Sequence, residues 1–147
     1  MRVFQVRDSL DVYGPRQAAL ELAQKLGFPR HERQELAIAV SELASNIVKY
    51  GVRGSIELDS VDDPRHGLGV VIVARDCGPP FRNLAMALQD GCDDNGPIDP
   101  GVLLKRGGLG IGLGAVVRFT DSFDLDQTRR EKEIRVVRYR VRPRRTG

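Results

Sequence analysis

Three short patterns in this chain place polar atoms where phosphate and proton chemistry could use them. The first is VSELASNIVKYG, from Val40 to Gly51. Glu42 and Asn46 lie four positions apart in it, so on a helix both project from one face, one turn apart. A carboxamide oxygen can ligate Mg²⁺, and a carboxylate one turn away can orient or deprotonate a hydroxyl or a water. An ordinary solvated helix face can carry the same pair, so downstream residues must decide between the two. The second pattern is the run Gly107, Gly108, Leu109, Gly110, Ile111, Gly112, Leu113, Gly114. Glycines let backbone N–H groups approach an anion without a Cβ in the way, and a helix start just beyond adds a favourable dipole. Triphosphate is the natural guest, and a flexible linker is the rival reading. The third pattern is Asp76 followed by Gly78 at the end of an apolar run. A carboxylate there could accept a hydrogen bond from an exocyclic amine, or simply close a turn.

Two commoner phosphate motifs are excluded. A G-x-G-x-x-G match starting at Gly108 meets Leu113 in the third position, and one starting at Gly110 meets Ala115. No Gly-Lys pair precedes Ser or Thr, so there is no P-loop.

The elements that must position these residues follow from periodicity. Arg2 to Arg7 alternates as a short strand. A helix is expected over about Tyr13 to Leu26, stopped by Gly27 and Pro29, and a second from Arg30 to Tyr50, stopped by Gly51. In the second, Leu36, Val40, Leu43 and Ile47 form an apolar stripe distinct from Glu42 and Asn46. Ser55 to Asp59 and Gly69 to Ala74 predict a hairpin around the turn cluster Asp62 to Gly67. Phe81 to Leu88 can form a short helix, and the Gly- and Asp-rich stretch from Asp90 to Arg106 has the length of a lid. Ala115 to Phe119 reads as helix, and strands are expected at Ser122 to Asp126 and Glu133 to Arg142. This order predicts one α+β domain over residues 1–147, a two-layer sandwich whose mixed, largely antiparallel sheet carries helices on one face. Residues 143–147 read as a frayed basic tail.

Composition excludes several classes. The chain has 147 residues, 41% hydrophobic and 29% charged, ordinary for a globular domain. A net charge of +3 is too small by itself to imply nucleic acid. Cys77 and Cys92 fit no metal spacing and read as free thiols of a reducing cytosol. No apolar run approaches a membrane span and the first residues lack a signal h-region, so a cytoplasmic protein is expected. The arginines from Arg135 to Arg145 leave three readings open: a solvated edge strand guarded by charge, a nucleic-acid stripe, or a face for an acidic partner.

An E-x-x-x-N helix, a strand ending D-x-G, a lid and a glycine-rich loop before a helix, in that order, resemble the GHKL ATP-binding family. SELASNI and GGLGIGLGAVVRF look most like the RsbT-type switch-protein serine/threonine kinases of bacterial partner-switching systems. The resemblance implies ATP and Mg²⁺ as cofactors. Asn46 would hold the metal against the phosphates, and Glu42 would be the general base. Asp76 would take the adenine amine beside Gly78, and Gly108 to Gly114 would cradle phosphate. Lys49 could reach phosphate or be an exposed helix lysine. The family pattern D-x-G-x-G is broken here, because Pro80 stands at the second glycine and cannot take a left-handed turn. The implied activity is phosphorylation of a small STAS-type antagonist or scaffold protein. The alternative is a nucleotide-gated module that sequesters a sigma factor or activator, and a homo-oligomer is open in either case.

Overall fold

The computed structural model describes residues 1–50, 53–89, 92–93, 96–97 and 112–144. Strand β1 spans Arg2–Val6 and leads through a 3₁₀ turn, Ser9–Val12, into helix α1, Tyr13–Lys25. Asp8 starts that turn with a reciprocal cap: its side chain accepts from Leu10 N, while Asp11 accepts from Asp8 N. Helix α2 spans Arg30–Tyr50, and strands β2 and β3 span Gly54–Asp63 and Gly67–Asp76. Helix α3 is Leu84–Ala87, and β4 and β5 are the two-residue strands Cys92–Asp93 and Gly96–Pro97. Helix α4, Gly114–Phe119, precedes strands β6, Ser122–Asp126, and β7, Lys132–Tyr139.

The main sheet runs β1-β2-β3-β7-β6, and every described pair in it is antiparallel. Helices α1 and α2 cover one face, and α4 packs on α2. The expected α+β sandwich is therefore observed. Register sorts the side chains of the central strands. Val70, Ile72, Ala74 and Asp76 of β3 pair with Arg138, Val136, Ile134 and Lys132 of β7, and all eight are buried. Because side chains alternate along a strand, these eight share the helix-covered face. The intervening Arg75, Glu133 and Arg135 belong to the open face. The core joins that inner face to Leu36, Val40, Leu43 and Ile47 of α2, the stripe expected from spacing.

Most element boundaries agree with the periodicity, and three do not. The β2–β3 hairpin runs closer to its turn, because Asp63 Oδ1 accepts from Arg65 N (2.8 Å) and His66 N (2.9 Å) and Gly67 takes φ of 81°. Helix α3 is shorter than expected, started by Asn83, whose side chain accepts from Met86 N. Strand β7 stops at Tyr139 instead of Arg142, because the Tyr139 N–H is taken by Asp121 Oδ2 at 2.8 Å.

The last difference changes the reading of the arginine-rich end. Strand β7 lies between β3 and β6, so it is not an edge, and its arginines are not a solvated row. Arg138 is buried and donates to Phe119 O and Glu35 Oε1. Arg140 donates to Leu26 O, and Arg142 donates to Asp121 Oδ1, Arg118 O and Thr120 O. These contacts engage Arg138 and Arg142 within the protein and take them out of the nucleic-acid stripe, while Arg135, Arg140 and Arg144 stay exposed.

Candidate functional site

Helix α2 carries the first two candidates. Its buried residues run from Leu36 through Leu43 and Ala44 to Ile47, so the middle of the helix is enclosed around more than the apolar stripe alone. Ser41 settles its hydroxyl by donating to Ala37 O at 2.8 Å. Glu42 is only 3% exposed, which is unusual for a carboxylate, and Asn46 one turn later is half-buried. The solvated-face reading of this pair therefore fails for Glu42. Lys49, expected as an exposed lysine if it did not reach phosphate, is half-buried.

Asp76 ends β3 on the helix-covered face and is also buried. Its Oδ1 accepts from Gly78 N at 2.8 Å, closing an Asx turn. Pro80 raised the question of whether this turn can form without its second glycine. None of residues 76–81 has a positive φ, so the turn is built from conformations that proline tolerates. Side chains and backbone from elsewhere hold it instead. Cys77 N donates to Arg53 O at 3.0 Å, and Phe81 N donates to Gln127 Oε1 at 2.9 Å. Cys77 is an exposed free thiol, as expected.

Of the glycine run, Gly107, Gly108, Leu109, Gly110 and Ile111 lie outside the described residues, as does most of the expected lid. Gly112 takes φ of 105°, a conformation essentially reserved for glycine, and turns the chain into α4. Leu113 is buried, and its N–H donates to Ala87 O at 3.2 Å, fastening the start of α4 to the end of α3. Gly114, Ala115 and Val116 are buried where α4 meets α2, and their small size permits a close approach. The chain leaving the glycine run is thereby delivered to the helix that carries Glu42 and Asn46.

Three residues that spacing alone did not single out complete the arrangement. Gly54, opposite Asp76 in the β2–β3 register, is the first. A Cβ on Gly54 would stand 2.5 Å from Ile47 Cγ2 and 3.2 Å from Asp76 Cβ. The missing side chain therefore lets α2 settle against the strand end that bears Asp76. The second is Lys132, whose side chain and that of Asp76 are each 4% exposed, with Nζ 3.6 Å from Asp76 Oδ1. The third is Gln127, already met at Phe81. Gly54 and Lys132 are found only through register, and Gln127 only through the loop that carries it back over the turn.

The opposite face of the sheet has a different charge arrangement. Arg75 bridges Glu57 and Glu133 across three strands. Burial works against its charged form, but hydrogen bonds to Glu57 and Glu133 outweigh this and raise its pKa above the ordinary arginine value. That network belongs to the open face, away from Glu42 and Asp76.

Fold and sequence together define the class. Residues 8–138 match the family described as Histidine kinase-like ATPase domain. The chain is 32% identical over 130 residues to Serine/threonine-protein kinase RsbT of Bacillus subtilis (strain 168), covering 88% of this chain and 89% of that protein. It belongs to the histidine kinase-like ATPase family, and the resemblance to GHKL proteins is borne out. A chain from the crystal structure of the SiaB-SiaC complex of Pseudomonas aeruginosa shares the fold, with a TM-score of 0.55 and 14% identity over 94% of this chain and 89% of that one.

Proposed function

We propose that this protein is an ATP- and Mg²⁺-dependent serine/threonine protein kinase of a partner-switching system, acting in the cytoplasm on a small STAS-type antagonist or scaffold protein. The observation that carries this reading is Glu42, a nearly fully buried carboxylate one helical turn from Asn46. A module that only binds nucleotide needs no such base. The relative that covers most of this chain is named a serine/threonine-protein kinase. Among the described residues no helix is long and apolar enough to cross a membrane.

The residues present fit the two groups this reading requires. Asp76 has Oδ1 engaged by Gly78, so Oδ2 can accept from the adenine amine. Asn46 offers a neutral oxygen suited to a hard cation. Among the described residues no three His, Cys, Asp or Glu side chains are gathered at one point. Asn46 would hold Mg²⁺, which when bound would supply charge stabilisation to the transferring phosphoryl group. Bound ATP supplies the γ-phosphoryl group. The chain's own part is then positioning. Glu42 takes the proton from the attacking serine or threonine hydroxyl, and backbone N–H groups from Gly108 to Gly114 would supply donors to the phosphates. The scissile P–O bond breaks toward ADP as the new P–O bond to the substrate hydroxyl forms.

The test is transfer of labelled γ-phosphate from ATP to purified STAS-domain proteins from the same organism. Glu42→Gln is expected to lower transfer by about 10²–10⁴-fold while ATP still binds. Transfer by that variant at the parental rate would overturn the role of Glu42. ATP binding without transfer, together with a stable complex with a sigma factor, would replace the kinase by a nucleotide-gated binding module.

A further inference from the structure

We propose that Lys132 is a positioning residue that orients Asp76 and clamps the turn after it, and so sets the preference for an amine-bearing purine. The inference rests on the ATP-binding reading of this site and adds a residue to it. Its basis is geometric. Lys132 opens β7 directly across from Asp76, on the helix-covered face of the sheet. Its ammonium lies 3.6 Å from Asp76 Oδ1. It donates to Pro79 O at 3.2 Å and sits 4.2 Å from the centroid of the Phe81 ring. One buried cation therefore holds three points of the segment from residue 76 to residue 81, and Gln127 holds a fourth at Phe81 N.

The ammonium donates a hydrogen bond to the Pro79 carbonyl and sets its charge against the Asp76 carboxylate and the aromatic face. Asp76 supplies the acceptors. Its Oδ1 faces Gly78 N and Lys132, and no described residue donates to Oδ2. A carboxylate oxygen held in this way is an acceptor only. It suits the exocyclic amine of adenine and opposes the 6-oxo group of hypoxanthine, which is itself an acceptor. Buried polar groups left facing the wrong partner discriminate strongly. Pairing with Lys132 is also what allows the Asp76 carboxylate to be buried at all. This clamp does the work that the second motif glycine would otherwise do through backbone freedom, because Pro80 cannot supply it.

The experiment measures equilibrium dissociation constants of the full chain for ATP and inosine triphosphate. It compares the parent with Lys132→Met, Lys132→Gln and Lys132→Arg, with circular dichroism to check folding. The parent is expected to prefer ATP by about tenfold or more. In Lys132→Met, ATP affinity should fall by about tenfold and the preference over inosine triphosphate should collapse toward unity. Lys132→Arg should restore part of the preference, because it keeps the charge and the donors. If Lys132→Met does not fold, Lys132→Gln decides by the same ratio. A variant that keeps the parental ratio, or loses affinity for both nucleotides equally, overturns the role of Lys132. A folded parent that binds neither nucleotide overturns the ATP-binding reading itself, and that result is seen before any variant is made.

Discussion

Ile47 of α2 stands directly over Gly54 of β2, so that a Cβ on Gly54 would lie 2.5 Å from Ile47 Cγ2 and 2.5 Å from the Arg75 carbonyl oxygen. No Cβ tolerates either contact. The glycine therefore sets the distance between the helix that bears Glu42 and Asn46 and the strand that ends at Asp76. Gly54→Ala is expected to destabilise the fold by about 1–3 kcal/mol, the usual cost of overpacking. Ile47→Ala, which removes Cγ2, should not rescue it, because the clash with the carbonyl remains. Urea denaturation of the single and double variants checks this, and full rescue would show that the helix contact alone matters.

Arg138 and Glu35 should respond asymmetrically. Arg138 is 1% exposed and reaches Glu35 Oε1 at 3.4 Å, and among the described residues its Nε has no partner. Removing the acid leaves a buried guanidinium held, among the described residues, by Phe119 O alone, whereas removing the arginine leaves a carboxylate that still meets solvent. Glu35→Ala should cost about 2–3 kcal/mol and Arg138→Met distinctly less. Equal losses in chemical denaturation would contradict this account.

Arg142 closes the end of α4. It donates to Arg118 O (3.1 Å) and Thr120 O (2.9 Å) while Asp121 accepts from its Nε at 2.8 Å. Lost satisfaction of helix-end carbonyls typically costs about 1 kcal/mol. Arg142→Ala should lower the melting temperature by a few degrees. It should leave affinity for a duplex DNA probe unchanged, because this guanidinium is spent inside the protein. A loss of DNA binding in the variant would restore the nucleic-acid reading.

Acid should loosen two turns. Backbone N–H groups of Arg65 and His66 hold the Asp63 carboxyl below its ordinary pKa, and the Thr128 hydroxyl and N–H do the same for Asp126. A depressed folded-state pKa means stability that is complete above the unfolded value, about pH 3.9, and is lost as pH falls through the lower folded value. Melting temperature followed from pH 6 to below 3 should show a steeper acid limb for the parent than for Asp63→Asn. Identical limbs would remove Asp63 from the acid response.

The nucleotide pocket can be tested without a partner protein. Ligand at about 100 times its Kd adds roughly 2.7 kcal/mol to stability, enough to raise the melting point by several degrees. Mg-ATP should produce such a rise in the parent and a smaller one in Asp76→Asn, whose amide can turn a donor toward the adenine amine. An equal rise in both would exclude Asp76 from base recognition.

Much of this arrangement was legible as local pattern. The 3.6-residue period over Arg30–Tyr50 gave both ends of α2, since Gly51 and Pro29 bound it, and the stripe from Leu36 to Ile47 named its buried side. The two-residue period gave β2, the continuous apolar run from Gly69 to Ala74 gave β3, and the D-x-G turn was visible at Asp76. What misled was the carboxyl end. Alternating arginines read as a solvated edge strand, because charge on a strand is ordinarily exposed. Here β7 is central, and its two inner charged residues are met by Asp76 at one end and Glu35 at the other.

By itself the amino-acid order determined the periods, the turn chemistry and the family signature, because these depend on neighbours within a few positions. Tertiary structure alone decided which strand is interior and which residues face each other across a ladder. Lys132 meets Asp76 only because β7 pairs with β3 in one register, and a slip of one residue would turn Lys132 to the open face. The burial of Glu42, which separates a candidate base from a solvated acid, likewise depends on α2 being enclosed by elements distant in the chain.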